Sequence, residues 1–365
     1  VPPGIVPARC VEPGVSSSSP YNRRSMQWSQ ILGRLADGGD LGRDEARAAM
    51  DAVMSGEATP AQTAAFIVSL RIKGETVEEM TGLVEAMRSA AVTVDVGVPV
   101  VDTAGTGGDR SGTFNISTTA AFVAAGAGAK VAKHGNRSAS SRCGSADVLE
   151  ALGVAIDLSP DATAALVREV GFGFFFAPRY HPAMRHAAPV RRELGIPTVF
   201  NFLGPLANPA GARRQAIGVS DPAMAERMIG VLARLGSEYA FVYYGEDGLD
   251  EVTTTGPTFI YRLRDGEITH AEFTPEDFGV ARARPEDLLG GDAETNAAII
   301  TEILDGAPGP RRDVALVNAA PALVAAGLAE GFVEGVRLAA EAIDSGAARR
   351  VLDQVVERSR SLRGE

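Results

Sequence analysis

Val100-Val101-Asp102-Thr103-Ala104-Gly105-Thr106-Gly107-Gly108-Asp109 decides the fold, because an apolar β-branched run empties directly into a glycine loop. Asn115-Ile116-Ser117-Thr118 follows, and Ser117 and Thr118 can open a helix. A second apolar run, Phe122 to Val131, returns the chain to the same edge and ends in Lys133-His134-Gly135-Asn136-Arg137. Gly144-Ser145-Ala146-Asp147 comes next. Glycine lacks Cβ, so the backbone can turn tightly and aim consecutive N–H groups at an anion. A helix N-terminus adds partial positive charge at the same spot. Loop, helix start and the cations Lys133 and Arg137 together predict a phosphate-binding mouth.

Three familiar phosphate motifs fit poorly. A dinucleotide fingerprint needs a third glycine where Arg110 stands after Gly105 and Gly107. A Walker loop needs a Gly-Lys pair, and the chain contains none. The common phosphoribosyltransferase loop carries two acidic residues before its Thr-Gly, whereas Val101-Asp102-Thr103-Ala104 offers one.

Outward from that stretch, the pattern after Val94 alternates apolar β-rich runs with helical ones, which predicts a mainly parallel α/β sheet. Expected strands are 98–101, 129–131, 174–176, 215–219 and 240–244, with 259–263 and 268–273 joined as a hairpin through Asp265-Gly266. Expected helices cover 114–125, 146–152, 161–170, 223–235, 295–304 and much of 313–356. Before Val94, residues 27–91 carry helical spacing in Ile31-Leu32-Leu35, Ala46-Met50-Val53-Met54 and Ala64-Phe66-Ile67-Leu70. Thr59-Pro60 reads as a helix start, and Thr76-Val77-Glu78-Glu79 as a capping box. Four short helices make a meagre core alone, so they are expected to pack on something else, plausibly a second copy. Residues 1–25, rich in proline and serine, read as a disordered tail without the apolar core of a secretory signal.

Composition narrows the function. Hydrophobic residues make up 45% and charged residues 22%, ordinary for a globular chain of 365 residues, which is long enough for two domains. No apolar run is long enough to span a bilayer, so no membrane role is expected. A net charge of −11 opposes nucleic acid as the main ligand, since phosphate backbones are bound through excess Lys and Arg. Two cysteines, Cys10 and Cys143, provide no disulfide framework and suit a reducing cytoplasm.

Some residues carry chemistry on two readings. Asp250-Glu251 follows the expected strand 240–244 by a short loop. Such carboxylates can converge on Mg²⁺, which takes one or two of them plus substrate phosphates, or form a solvated acidic turn. Lys133-His134-Gly135-Asn136 can bind a substrate or simply turn a strand into a helix with Asn136 as its cap. Arg191, on an expected helix after Tyr180-His181-Pro182, is by itself a surface charge.

The blocks Ala104–Asp109, Asn115–Thr118, Lys133–Arg137 and Ser140–Asp147 resemble the signature blocks of the anthranilate phosphoribosyltransferase family. The likeness continues through Phe176–Asn208 and Gly245–Thr255 and covers roughly residues 26–350. It implies a small helical N-terminal domain, 26–94 with about 180–205, hinged to an α/β domain, 95–179 and 206–365, of nucleoside phosphorylase type. It also implies a homodimer through the helical part, and contact with anthranilate synthase. The implied reaction moves phosphoribose from phosphoribosyl pyrophosphate to the amine of anthranilate, in tryptophan biosynthesis, with two Mg²⁺ ions. Substrate contacts carried over by resemblance are Gly105, Gly107, Gly108, Asp109, Thr113, Asn115, Ser117, Thr118, Lys133, His134, Gly135, Asn136, Ser145 and Arg191. Lys133 and Asn136 would position and stabilise charge, Arg191 would take the acceptor carboxylate, and Ser117, Asp250 and Glu251 would hold the metal. His181 and His186 would lie near the acceptor pocket. Cys143 and Met184 stand where relatives often have serine and tyrosine, which weakens hydrogen bonding at both points. Two other readings share the fold. A pyrimidine nucleoside phosphorylase has no pyrophosphate for the acidic pair to serve, and a nucleic-acid-binding relative would want a basic face.

Overall fold

The computed structural model describes residues 27–138 and 142–363. Residues 1–25, the expected tail, and Ser140 and Ser141 of the last signature block lie outside them. Four helices open the described chain: α1 (Trp28–Ala36), α2 (Arg43–Ser55), α3 (Pro60–Lys73) and α4 (Val77–Ser89). Their limits follow local chemistry. The Thr59 hydroxyl accepts from the Gln62 amide with Pro60 in the first turn, and Thr76 with Glu79 forms the capping box that starts α4.

The larger part is a seven-stranded sheet in the order β3-β2-β1-β4-β5-β6-β7. Its strands are β1 (Val101–Gly105), β2 (Val131–Gly135), β3 (Phe172–Phe176), β4 (Arg214–Gly218), β5 (Tyr239–Gly245), β6 (Thr258–Arg264) and β7 (Glu267–Phe273). β1 to β5 pair in parallel, and β6 and β7 add an antiparallel edge. The β6–β7 turn is the expected Asp265-Gly266, both residues left-handed with φ of 51° and 84°. Helices α5 (Ile116–Gly126), α6 (Ser145–Ala151), α7 (Pro160–Val170), α8 (Ala177–Tyr180), α9 (Ala188–Leu194), α10 (Phe200–Leu203) and α11 (Pro222–Arg234) fill the connections. After β7 come α12 (Ala293–Leu304), α13 (Pro310–Ala326), α14 (Phe332–Asp344) and α15 (Ala347–Leu362). Among the described residues no helix is long and apolar enough to cross a membrane.

Two strands need correction. The first expected strand, 98–101, begins instead at Val101 and runs into the glycine loop. The second, 129–131, begins at Val131 and takes in Lys133 and His134, which lie past the end of the expected strand. Both β1 and β2 bury polar side chains, Asp102, Thr103, Lys133 and His134, so their apolar signal stops before the strand does.

Alternation along the strands sends neighbouring side chains to opposite layers. Phe241 and Tyr243 of β5 join a core with α5, α12, α13 and α15, while Ala240 and Val242 join one with α4 and α11. That second core is continuous with the apolar faces of α1 to α3 and with Val190, Phe200 and Leu203. The four N-terminal helices therefore find their partner within the chain, and their burial does not wait on a second copy. α9 packs on α3 and α10 on α4, which places these later segments with the bundle.

Candidate functional site

The order of strands reverses beside β1, where the chain leaves β3 at one edge and returns as β4 on the other side of β1. In open α/β sheets ligands bind in the crevice at the carboxyl ends of strands at such a point. β1 and β4 both end in glycine, and Gly105 pairs with Gly218. A Cβ on Gly105 would lie 2.5 Å from Asp250 Oδ2, and one on Gly218 would lie 1.6 Å from the Asp250 carbonyl oxygen. Only glycine at both ends lets the loop after β5 settle on the crevice. Asp250 and Glu251 reach the site for this reason.

Both acids are buried, at 8% exposure each. The Gly107 amide donates to Asp250 Oδ2 at 2.6 Å, and the Ser117 amide to Glu251 Oε1 at 3.1 Å. The glycine loop and the start of α5 thus point N–H groups at the acid pair. Burial, with the charge of Asp109 next, pushes the Asp250 carboxyl up to about 7. Burial and then Asp250 push Glu251 well above the usual carboxylate range. No group of three or more His, Cys, Asp or Glu side chains that could hold a metal occurs among the described residues. Two hard oxygen donors that repel in a buried site, with the Ser117 hydroxyl at hand, fit Mg²⁺, which leaves other positions to substrate phosphates.

Lys133 and His134 leave β2 on opposite faces. Lys133 is 2% exposed, and its Nζ donates to the Thr103 carbonyl at 2.6 Å and reaches Ser117 Oγ at 3.4 Å. It is a buried cation under the acid pair. Burial lowers its pKa, while Asp102, Glu251 and Asp250 act to raise it. His134 turns the other way, its Nδ1 3.2 Å from the Gly204 carbonyl, and its ring 5.0 Å from that of His181. Burial, and next His181, push His134 down to about 3, so it is neutral. His181 bonds the Ala207 carbonyl and is also lowered by burial. The Nε2 atoms of both rings are buried without a hydrogen-bond partner.

The remaining residues scatter around these two faces. Gly107 and Gly108 are left-handed, with φ of 67° and 84°, and Arg110 takes φ of 58° where the dinucleotide fingerprint would have glycine. Asp109 accepts from the amide and hydroxyl of Ser111, whose Oγ lies 3.2 Å from the Thr113 hydroxyl. The Asn115 side chain donates to the Cys143 carbonyl and accepts from Asn296, tying the α5 start to the loop before α6. Thr118 is fully buried, so it serves packing rather than opening α5, which starts at Ile116. Ser145 donates to the carbonyl of exposed Asn136, and Gly135 leaves space that a Cβ would contest with Ser145 Oγ at 2.4 Å. Cys143 is buried, and burial pushes its thiol up to about 11.

Arg191 stands apart from this network. It lies half-buried on α9 with its guanidinium 5.1 Å over the Phe200 ring, and burial lowers its pKa. His186 packs against Gly56 at the end of α2, where a Cβ would meet its ring at 2.7 Å, so it belongs to the bundle. Met184 is half-buried against the same apolar core.

Several supporting residues escaped the sequence reading. Gly218, which seats Asp250, looks like any strand-ending glycine until its pairing with Gly105 is known. Asn208 donates to the Ala132 carbonyl, and Gln215 to the Pro205 carbonyl, both buried. Ser220 donates to the Gly107 carbonyl at 3.1 Å. A buried amide carries no periodic signal.

Comparison with known proteins supports the same two-part fold. The helical bundle domain of a glycosyl transferase family matches residues 29–91, and the a/b domain of a glycosyl transferase family matches residues 97–349. Anthranilate phosphoribosyltransferase of Moorella thermoacetica is 56% identical over 326 residues, 89% of this chain and 96% of that protein. The enzyme of that name from Symbiobacterium thermophilum is 54% identical over 336 residues, 92% of this chain and 98% of its own. The crystal structure of the Thermus thermophilus enzyme superposes with a TM-score of 0.86 at 44% identity, covering 90% of this chain and 99% of that one. The Saccharomyces cerevisiae enzyme in complex with PRPP and Mg superposes with a TM-score of 0.84 at 28% identity, covering 92% and 99%. The chain belongs to the anthranilate phosphoribosyltransferase family.

Proposed function

We propose a division of labour for the family's reaction, transfer of phosphoribose from phosphoribosyl pyrophosphate to anthranilate with release of pyrophosphate. The crevice over Gly105 and Gly218 takes the donor. Asp250, Glu251 and Ser117 would hold Mg²⁺, which when bound offsets charge on the leaving pyrophosphate. As C1 of the ribose gains positive character, the Gly107 loop and the α5 start keep the leaving group oriented, and Lys133 supplies fixed positive charge beneath it. Gly108, Asp109, Thr113 and Asn115 shape the loop that surrounds the phosphates.

The acceptor binds toward the bundle, between the His134 face of β2 and Arg191. The guanidinium suits a carboxylate through its planar donor fork. Asn136 is the exposed residue that follows β2. Anthranilate carries an aniline nitrogen that is already neutral, so attack needs positioning more than a strong base. Neutral His134 and His181 accord with a site that accepts hydrogen bonds rather than removing protons.

The observation that carries this reading is the buried acid pair seated on paired glycines at the strand-order reversal. Further parts of the proposal are two Mg²⁺ ions, a role in tryptophan biosynthesis, a cytoplasmic setting and a homodimer. Ile72 of α3, 81% exposed, supports a partner surface on the bundle. Contact with anthranilate synthase rests on the resemblance alone. The test is loss of anthranilate fluorescence with both substrates and Mg²⁺ present, each then omitted in turn. Loss that needs all three is expected; turnover without Mg²⁺, or none with everything present, overturns the reading.

A further inference from the structure

We propose that Asn318, on α13, is a positioning residue that holds the Asp250–Glu251 pair in place. Its side chain touches neither acid. It is 2% exposed, and its carboxamide pairs with the backbone of Val252, the residue after Glu251. Nδ2 donates to the Val252 carbonyl at 2.8 Å, and Oδ1 accepts from the Val252 amide at 2.8 Å. Nδ2 also donates to the Val314 carbonyl at 2.8 Å, one turn back on α13. The side chain therefore acts as a strand partner for one loop residue and is itself anchored to a helix.

Val252 is fully buried, so neither of its backbone groups can turn to water instead. A buried amide left without a partner is costly enough to make the loop rearrange rather than stay. An amide side chain is the fitting group, because it presents one donor and one acceptor side by side. The other fixings of this loop lie on either side. Gly218 seats the Asp250 carbonyl, and Asp247 accepts from the hydroxyls of Thr253 and Thr255. Asn318 fixes the middle, directly after two carboxyl groups adjacent in sequence that must both be held in the buried crevice. Without it the carboxylates would be expected to drift apart and toward solvent. Cation affinity would fall, while the acceptor side, on another face of the sheet, would be untouched.

The proposal rests on the reading of Asp250 and Glu251 as the Mg²⁺ ligands, and one experiment separates the two. Mn²⁺ binding is measured by electron paramagnetic resonance, with phosphoribosyl pyrophosphate present and no acceptor. The proteins compared are the parent, Asn318→Leu, Asn318→Gln and the Asp250→Asn/Glu251→Gln double variant. Leucine fills the volume without hydrogen bonds, and glutamine keeps the amide on a longer arm. The double variant is expected to lose Mn²⁺ binding. Asn318→Leu is expected to weaken it about tenfold or more, with faster hydrogen exchange at the Val252 amide and an unchanged acceptor KM. Asn318→Gln is expected to fall between Leu and the parent at a near-parental Tm, and it decides the matter if Asn318→Leu does not fold. Parental Mn²⁺ affinity in folded Asn318 variants, with binding lost in the double variant, overturns the role of Asn318 alone. Parental affinity in the double variant overturns the metal reading and this proposal with it.

Discussion

Lys133 and His134 are neighbours on one strand, yet they belong to differently built halves of the cleft. On the Lys133 face the charged groups are committed. Asp250 and Glu251 accept backbone amides, and Lys133 donates to Thr103. What is unresolved there is charge, because two carboxylates are buried side by side. On the His134 face the two imidazoles are neutral and their hydrogen bonds are unfinished. The Nε2 atoms of His134 and His181 have no partner, and no carboxylate pairs with Arg191 among the described residues. On the proposed reading a cation would complete one half, and a ligand with donors and a carboxylate the other. The alternation of a single strand keeps the two apart.

The comparison breaks most visibly if the acid pair proves dispensable. Asp250→Asn with Glu251→Gln should lower kcat by about two to four orders of magnitude, since leaving-group stabilisation depends on it. The fold should survive. Removing two buried negative charges relieves desolvation and repulsion, so Tm in EDTA should equal or exceed that of the parent. Calorimetry in EDTA beside a Mg²⁺ titration of rate tests both. Near-normal activity would return the pair to a structural role.

A smaller effect tests the other half. Arg191→Ala removes a charge-assisted contact worth roughly 1.5–3 kcal/mol, which is about a ten- to hundredfold rise in acceptor KM. The donor KM should stay within about twofold, because nothing links Arg191 to the acid pair. Lysine should rescue poorly, since an ammonium cannot copy a bidentate fork. Steady-state kinetics with both substrates varied decide it. A rise in the donor constant alone would erase the division between the faces.

How much of this was legible beforehand follows from what each residue does. The helix starts at Thr59 and Thr76 and the Asp265-Gly266 hairpin rest on local chemistry, and the sequence displays that chemistry directly. The parallel sheet was visible in its apolar runs, but the limits of β1 and β2 were not, because both bury polar side chains. The acid pair was visible as a pair; its burial was not, since that depends on Gly218, which lies 32 residues before Asp250. Asn318 and Asn208 were invisible for a further reason. Their worth lies in backbone groups distant in sequence, and no spacing rule records it.

The smallest effect tests whether the His134 ring is neutral in the folded chain. Burial holds His134 at about 3 in the folded chain, against a value near 6.5 when unfolded. As pH falls below 6.5 the unfolded chain takes up the proton first, so stability is lost progressively between 6.5 and about 3. Well above 6.5 both states are neutral at this ring and it contributes almost no slope. Between pH 6.5 and 5.5 one such histidine should cost about 1 kcal/mol. His134→Asn places an amide nitrogen near the position of Nδ1, keeps a donor toward the Gly204 carbonyl, and cannot titrate. Urea denaturation of both proteins at pH 7.5, 6.5 and 5.5 should show the parent losing about 1 kcal/mol more than the variant in the last step. His181 and the carboxylates are common to both proteins, so their contributions cancel in the difference. Parallel lines would mean that His134 is charged or solvated in the folded protein. The ring would then be a titrating cation rather than a neutral acceptor, and the contrast between a half defined by buried charge and a half defined by unfinished hydrogen bonds would fail.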